Sequence, residues 1–143
     1  MSRRTSLVGI LGVIAVVVFI GILAMGRESL GTVGARFMAA LAKGDVDTLT
    51  KMSYIGNEPE DKIRKQWDFA VNTAAKYYNF GYRVTGSLQS GEKSGSVNMQ
   101  VTRDASSMGA YEEVYELPMI KVGDEWKVDV KSISREMYPA LPQ

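Results

Sequence analysis

With neither His nor Cys among its 143 residues, the proton-transfer chemistry to weigh in this chain is that of carboxyls and tyrosines. Zinc sites of the usual kinds, haem held by His or Cys, and Cys-ligated iron–sulfur clusters have no ligands here. Ser-His-Asp and Cys-His nucleophile systems are excluded within the chain. So are a disulfide framework and a lipid anchor on Cys. An Asp/Tyr pair remains chemically competent, since a desolvated carboxyl has its pKa raised towards 7. The acids on or near expected elements are Asp68, Glu113, Glu116 and Asp129. Asp68 follows Trp67 on the polar side of a helix. Glu113 and Asp129 alternate with Val114 and Val128, which read as inward-facing, so both carboxylates read as outward. No convergent acid–base set emerges, and the sequence assigns no catalytic residue, no metal ligand and no cofactor.

Aromatic side chains are the other candidates. Tyr54, Trp67, Tyr77, Tyr78, Tyr82, Tyr111, Tyr115 and Trp126 could line a ligand cavity, or fill a core with their polar atoms reaching a partner. The residues expected to line a pocket, if there is one, are Tyr54, Trp67, Tyr78, Met99 and Tyr115. Met99, Met108 and Met119 read first as gap-fillers. With 17 Lys+Arg against 16 Asp+Glu, a net charge of +1 makes no electrostatic case for nucleic acid.

The apolar residues are unevenly placed, which the mean hydropathy of −0.08 hides. From Thr5 to Gly26 no residue is charged, and 13 of the 19 residues from Leu7 to Met25 are Leu, Ile, Val or Phe. As a helix this stretch is about 28 Å long, close to the ~30 Å hydrocarbon core of a bilayer. A retained transmembrane helix over residues 1–26 is therefore expected, inserted in the lipid bilayer through Leu7 to Met25. Arg3 and Arg4 place its N-terminus in the cytoplasm. A cleaved signal ending near Gly26 is the rival. Gly9, Gly12 and Ala15 fall on one face of the helix and offer a surface for another helix.

Residues 27–131 then form one soluble domain. Val33, Phe37 and Leu41 mark a first helix that Gly44 stops, and Asp45 caps a short second helix through Val46, Leu49 and Met52. Asn57, Pro59 and Glu60 predict the start of a third, whose apolar face runs Ile63, Trp67, Ala70, Val71, Ala74, Tyr78. Alternation then predicts strands through Tyr82–Leu88, Val97–Val101, Tyr111–Val122 and Trp126–Val130, with turns at Ser90–Ser96, Asp104–Gly109 and Gly123-Asp124. Helices followed by a strand meander imply an α+β fold, about three helices packed on a curved antiparallel sheet. Residues 132–143, with Pro139 and Pro142, read as an extended tail, either a disordered end or an arm laid on a partner.

Two stretches carry a resemblance. One is Ala35-Arg36-Phe37-Met38-Ala39-Ala40-Leu41-Ala42-Lys43-Gly44-Asp45, followed by Leu49. The other is Leu117 to Val122 with Gly123-Asp124-Glu125-Trp126-Lys127-Val128-Asp129. Over roughly residues 33–131 the chain resembles the nuclear transport factor two-like superfamily, the cone fold shared with ketosteroid isomerase, and within it membrane-anchored bacterial members of unknown function. The resemblance implies a pocket between sheet and helices. It also implies a short strand between the second and third helices, for which only Ser53-Tyr54-Ile55 is available. Without His, the His-Asp dehydratase chemistry of such folds is absent.

These features together lead to one expectation about function. The chain is a single-pass protein of a bacterial cytoplasmic membrane, its domain extracytoplasmic, acting without catalysis as an accessory or assembly subunit among other membrane-protein subunits. The alternative is a module that binds a small hydrophobic ligand, or an isomerase- or dehydratase-type enzyme, using the cone pocket.

Overall fold

The computed structural model describes residues 28–103 and 111–143. The stretch Leu7 to Met25 with Gly9, Gly12 and Ala15, and Met108 in the expected turn Asp104–Gly109, lie outside the described residues. Among the described residues, no helix is long and apolar enough to cross a membrane.

Helix α1 (Leu30–Lys43) begins at Ser29, whose hydroxyl accepts from the Thr32 N–H, and ends at Gly44. Gly44 sits at φ +69°, in the left-handed region that a glycine C-cap occupies without strain. Asp45 immediately caps α2 (Val46–Met52), accepting from the Thr48 N–H at 3.2 Å. The same Thr48 holds the Asp45 carboxyl below its ordinary range, through its hydroxyl first and its N–H second.

Helix α3 (Glu60–Phe69) starts later than its capping-box signal suggests. Its N-cap is Pro59, and no side chain caps it. Asn57 is two residues too early; the Pro59 carbonyl accepts from both Lys62 and Ile63 and launches the helix. The far end differs too. A π-helical turn (Ala70–Ala74) replaces continuous α-helix, closed by the Ala75 N–H on the Ala70 carbonyl at 2.8 Å. The extra residue in that turn shifts the helix face by one position. Ala75 is therefore buried where the α-helical spacing predicts Ala74, which is exposed.

Five strands follow or interleave: β1 (Ser53–Tyr54), β2 (Phe80–Gln89), β3 (Ser94–Arg103), β4 (Tyr111–Val122) and β5 (Glu125–Asp129), in the order β1-β5-β4-β3-β2. The last four form the expected meander. The sheet is mixed rather than wholly antiparallel, because β1 pairs parallel with β5 through Ser53–Val128 and Tyr54–Asp129. A bulge at Thr85, between the Val84–Met99 and Gly86–Asn98 pairs, adds to the curvature. The result is an α+β fold of three helices on a curved sheet.

The concave face carries Val97, Met99 and Val101 of β3, Tyr115, Leu117 and Met119 of β4, and Val128 of β5, all buried with α1 and α3 in one core. That phase corrects the expectation for β4. Val114 is 73% exposed on the convex face, and Glu113 shares the concave face with Tyr115. Three consecutive buried alternates, Tyr115, Leu117 and Met119, outweigh a single valine between two glutamates.

The segment after the 3₁₀ turn Val130–Ser132 is the second correction. It folds back over this same domain, burying Ile133, Met137, Tyr138 and Leu141 to 4% exposure or less. Arg135 donates to the Leu141 carbonyl at 2.7 Å, and the Gln143 N–H donates to Gln66 Oε1 at 2.9 Å. Prolines 139 and 142 forbid helix and central strand but not burial, so residues 132–143 act as a strap that completes the core.

Candidate functional site

The residues expected to line a pocket are distributed over three places. Trp67 and Met99 lie wholly inside, each 0% exposed. The buried indole N–H needs an acceptor and has one, Ser53 Oγ at 2.8 Å, whose own hydroxyl donates to the Leu49 carbonyl at 2.6 Å. Phe37 packs edge-on against Trp67 with centroids 5.8 Å apart. The strand Ser53–Tyr54 is thus fixed by Trp67 on one face, and Tyr54 turns to the other face beside Asp129. Tyr54 is therefore not on the concave side.

Tyr78 and Tyr115 do come together, around a residue that carries the centre of the site. Arg103 ends β3 on the concave face, one alternate beyond Val101, paired with Phe80 of β2 and Tyr111 of β4. Its Nη2 donates to the Tyr115 hydroxyl at 2.7 Å and lies 3.1 Å from Glu113 Oε2. The Tyr115 hydroxyl in turn donates to Glu113. Arg103 also donates to the carbonyl of Glu136 in the strap, and its guanidinium stands 5.9 Å from the ring centroids of both Tyr78 and Tyr115. Tyr78 donates to the Met137 carbonyl at 3.2 Å, and Tyr138 packs edge-on against Tyr78 and Phe80 at 5.4 and 6.0 Å. Among the described residues, Arg103 Nε is buried without a hydrogen-bond partner.

The electrostatics of this cluster favour holding charge over moving protons. The hydrogen bond from Tyr115 lowers Glu113 below the usual carboxylate range even though partial desolvation opposes it, and Arg103 adds to the lowering. Burial raises the Tyr115 hydroxyl above its ordinary value, and Glu113 raises it further. Burial also opposes the charge on Arg103, but Tyr115, Tyr78 and Glu113 outweigh it and leave the guanidinium more firmly protonated than usual. An acid or base working near neutral pH needs the opposite shifts. Among the described residues, no three acidic side chains converge as a metal site would require.

Clefts among the described residues include three of note. One of about 470 Å³ opens at the start of α1, between Val33, Met52 and Trp126, rimmed by Glu28, Arg36, Lys51, Asp124 and Glu125. A second, about 300 Å³, lies beside Tyr78 and Tyr138. The third, about 560 Å³, is a shallow groove between α3 and the end of the strap, with Phe69 in its wall. Of the five expected lining residues, only Tyr78 borders any of these three.

Arg103 and the inward role of Glu113 are what the sequence reading missed. The signal was the period of two: Val97, Met99 and Val101 lead to Arg103, and Met119, Leu117 and Tyr115 lead back to Glu113. Asp68 stays on the surface, bonded to Asn72.

No protein-family model matches this chain, and no curated protein matches it. Solved structures do resemble it. A ketosteroid isomerase-like protein from Erwinia carotovora atroseptica is 10% identical, with a TM-score of 0.47 over 68% of this chain and 85% of that one. An NTF-2-like protein of unknown function from Shewanella oneidensis is 12% identical, with a TM-score of 0.45 over 68% of this chain and 88% of that one. A SEC-C motif-containing protein from Rhodopseudomonas palustris is 18% identical, with a TM-score of 0.43 over 64% and 68%.

Proposed function

We propose that the chain is a non-catalytic accessory subunit of a larger membrane protein complex and belongs to the membrane-anchored bacterial branch of the nuclear transport factor two-like superfamily. Leu7 to Met25 tether it to the cytoplasmic membrane, with the N-terminus in the cytoplasm and the domain on the far side. The observation that carries the reading is the packing of the concave face. Trp67 and Met99 occupy the space between helices and sheet, and the adjoining polar groups are engaged with one another and covered by the strap. What is left to work with is the outer surface. At the strap end, Tyr77 is 89% exposed and Tyr111 49%, side chains of the kind that anchor protein interfaces.

One observation favours the second reading, a binding site for a small ligand. The Nε–H of Arg103, unmatched among the described residues, leaves room for an acceptor from a ligand. Such a ligand would have to share or displace the strap over Arg103. Extraction of the full chain from native membranes in mild detergent, with identification of whatever stays bound, separates the two. An unlike protein subunit supports the first reading, a small molecule alone supports the second, and a lone chain with nothing bound contradicts both.

A further inference from the structure

We infer that the end of the domain nearest residue 28 rests on lipid headgroups, with Trp126 and the tips of two hairpins as the contact. The inference rests on the proposed span and names the bilayer as the partner of this surface.

Chain reach sets the geometry. Glu28 is three steps along the chain from Met25, and extended chain covers at most about 11 Å in that length. The headgroup layer is itself roughly 5–7 Å deep on each side of the hydrocarbon. Glu28 is therefore held in that layer or just above it, and whatever flanks Glu28 is held there too.

The flanking surface has the composition of a membrane interface. Glu28 shares its cleft with Trp126, which is half-buried and carries the Lys121 ammonium 5.8 Å from its ring centroid. The Lys121 N–H bonds the Lys93 carbonyl at 2.9 Å, so the β2–β3 tip lies beside the β4–β5 tip at this same end. Each hairpin places an aliphatic side chain in the open, Leu88 at 63% exposure and Val122 at 41%. Tryptophan with a neighbouring ammonium belongs at the boundary between headgroups and water, where the ring takes the apolar side and the amine snorkels. Among the described residues, charges around the cleft and tips balance, with Arg36, Lys51, Lys93 and Lys121 set against Glu28, Glu92, Asp124 and Glu125, and Arg27 in the sequence before them adds one positive charge. Contact through Trp126 and the aliphatic tips, rather than attraction to anionic lipid, is therefore what holds this surface down.

The full chain, incorporated into phosphatidylcholine vesicles and separated by flotation, provides the test. The lipid carries a nitroxide at headgroup depth, and Trp emission is compared between the native chain and W126F. Trp67, buried in the core, contributes the same background to both. The inference predicts flotation, a loss of emission in the native chain on adding the nitroxide lipid, and absence of that loss in W126F. Replacing part of the phosphatidylcholine with anionic lipid leaves the quenching unchanged. Flotation with equal quenching in the two chains, or none in either, overturns the inference while leaving the span intact. Failure to float overturns the span itself and the inference with it.

Discussion

The two ends of the concave face are held by different forces. Around Trp67, Phe37 and Met99 the helices meet the sheet through apolar packing, with a single relayed hydrogen bond from Trp67 through Ser53 to Leu49. Around Arg103 the sheet meets the strap through a charged cluster that joins β3, β4 and residues 136–138. Packing of the first kind is insensitive to pH and intolerant of volume change. The second kind adds a dependence on protonation to the apolar packing of Met137 and Tyr138. A domain built this way keeps a rigid half and a half whose closure is chemically conditional.

The comparison breaks most directly at Trp67. Trp67→Ala should cost on the order of 3–5 kcal/mol, the usual loss for a large buried ring. Denaturant titration of the full chain in detergent measures it, and a loss below about 1 kcal/mol would mean the core is not as described. The strap end should fail in alkali. Burial, with Tyr78 adding to it, pushes the Tyr138 hydroxyl up to about 12 from an ordinary 10. The folded pKa is raised, so its contribution is intact below pH 10 and lost as pH climbs towards 12, roughly 2–3 kcal/mol in all. Tyr138→Phe keeps the ring contacts and should remove that part of the alkaline loss.

A smaller test returns to the rigid half. A Cβ at Gly34 would come within 2.8 Å of Val97 Cγ1, and Val97 is wholly buried. Overpacking of this kind costs about 1–3 kcal/mol against the 0.5–1 that alanine returns in helix propensity, so Gly34→Ala should lose on the order of 1 kcal/mol. The smallest effect is acidic. Glu113 has a lowered folded pKa, so its contribution is present above the usual carboxylate range and is lost as pH falls through the folded value. Glu113→Gln should flatten that part of the acid limb and leave stability at pH 12 as dependent on Tyr138 as before.

Much of the rigid half was legible in the chain. The spacing of Val33, Phe37 and Leu41, the Gly44-Asp45 break and the alternation Val97-Met99-Val101 each correspond to an observed element. The conditional half was not, for three physical reasons. A π-turn adds a residue without leaving a mark in apolar spacing, so Ala75 takes the place predicted for Ala74. A charged residue on a concave face reads as a strand end until its partners are known, and the partners of Arg103 come from β4, from the strap and from Tyr78 after α3. The strap has no period, since Ile133, Met137, Tyr138 and Leu141 are buried one at a time from irregular backbone. Prolines 139 and 142 describe its backbone correctly and say nothing about what its side chains cover.

The central claim is that this domain acts by holding a neighbour in a membrane complex. Native mass spectrometry of the full chain, released directly from its own membranes in mild detergent, tests it most closely. The account predicts a species heavier than the 15.7 kDa chain by the mass of at least one unlike protein. A species at the mass of the chain alone, or of the chain with only a small molecule bound, would contradict it.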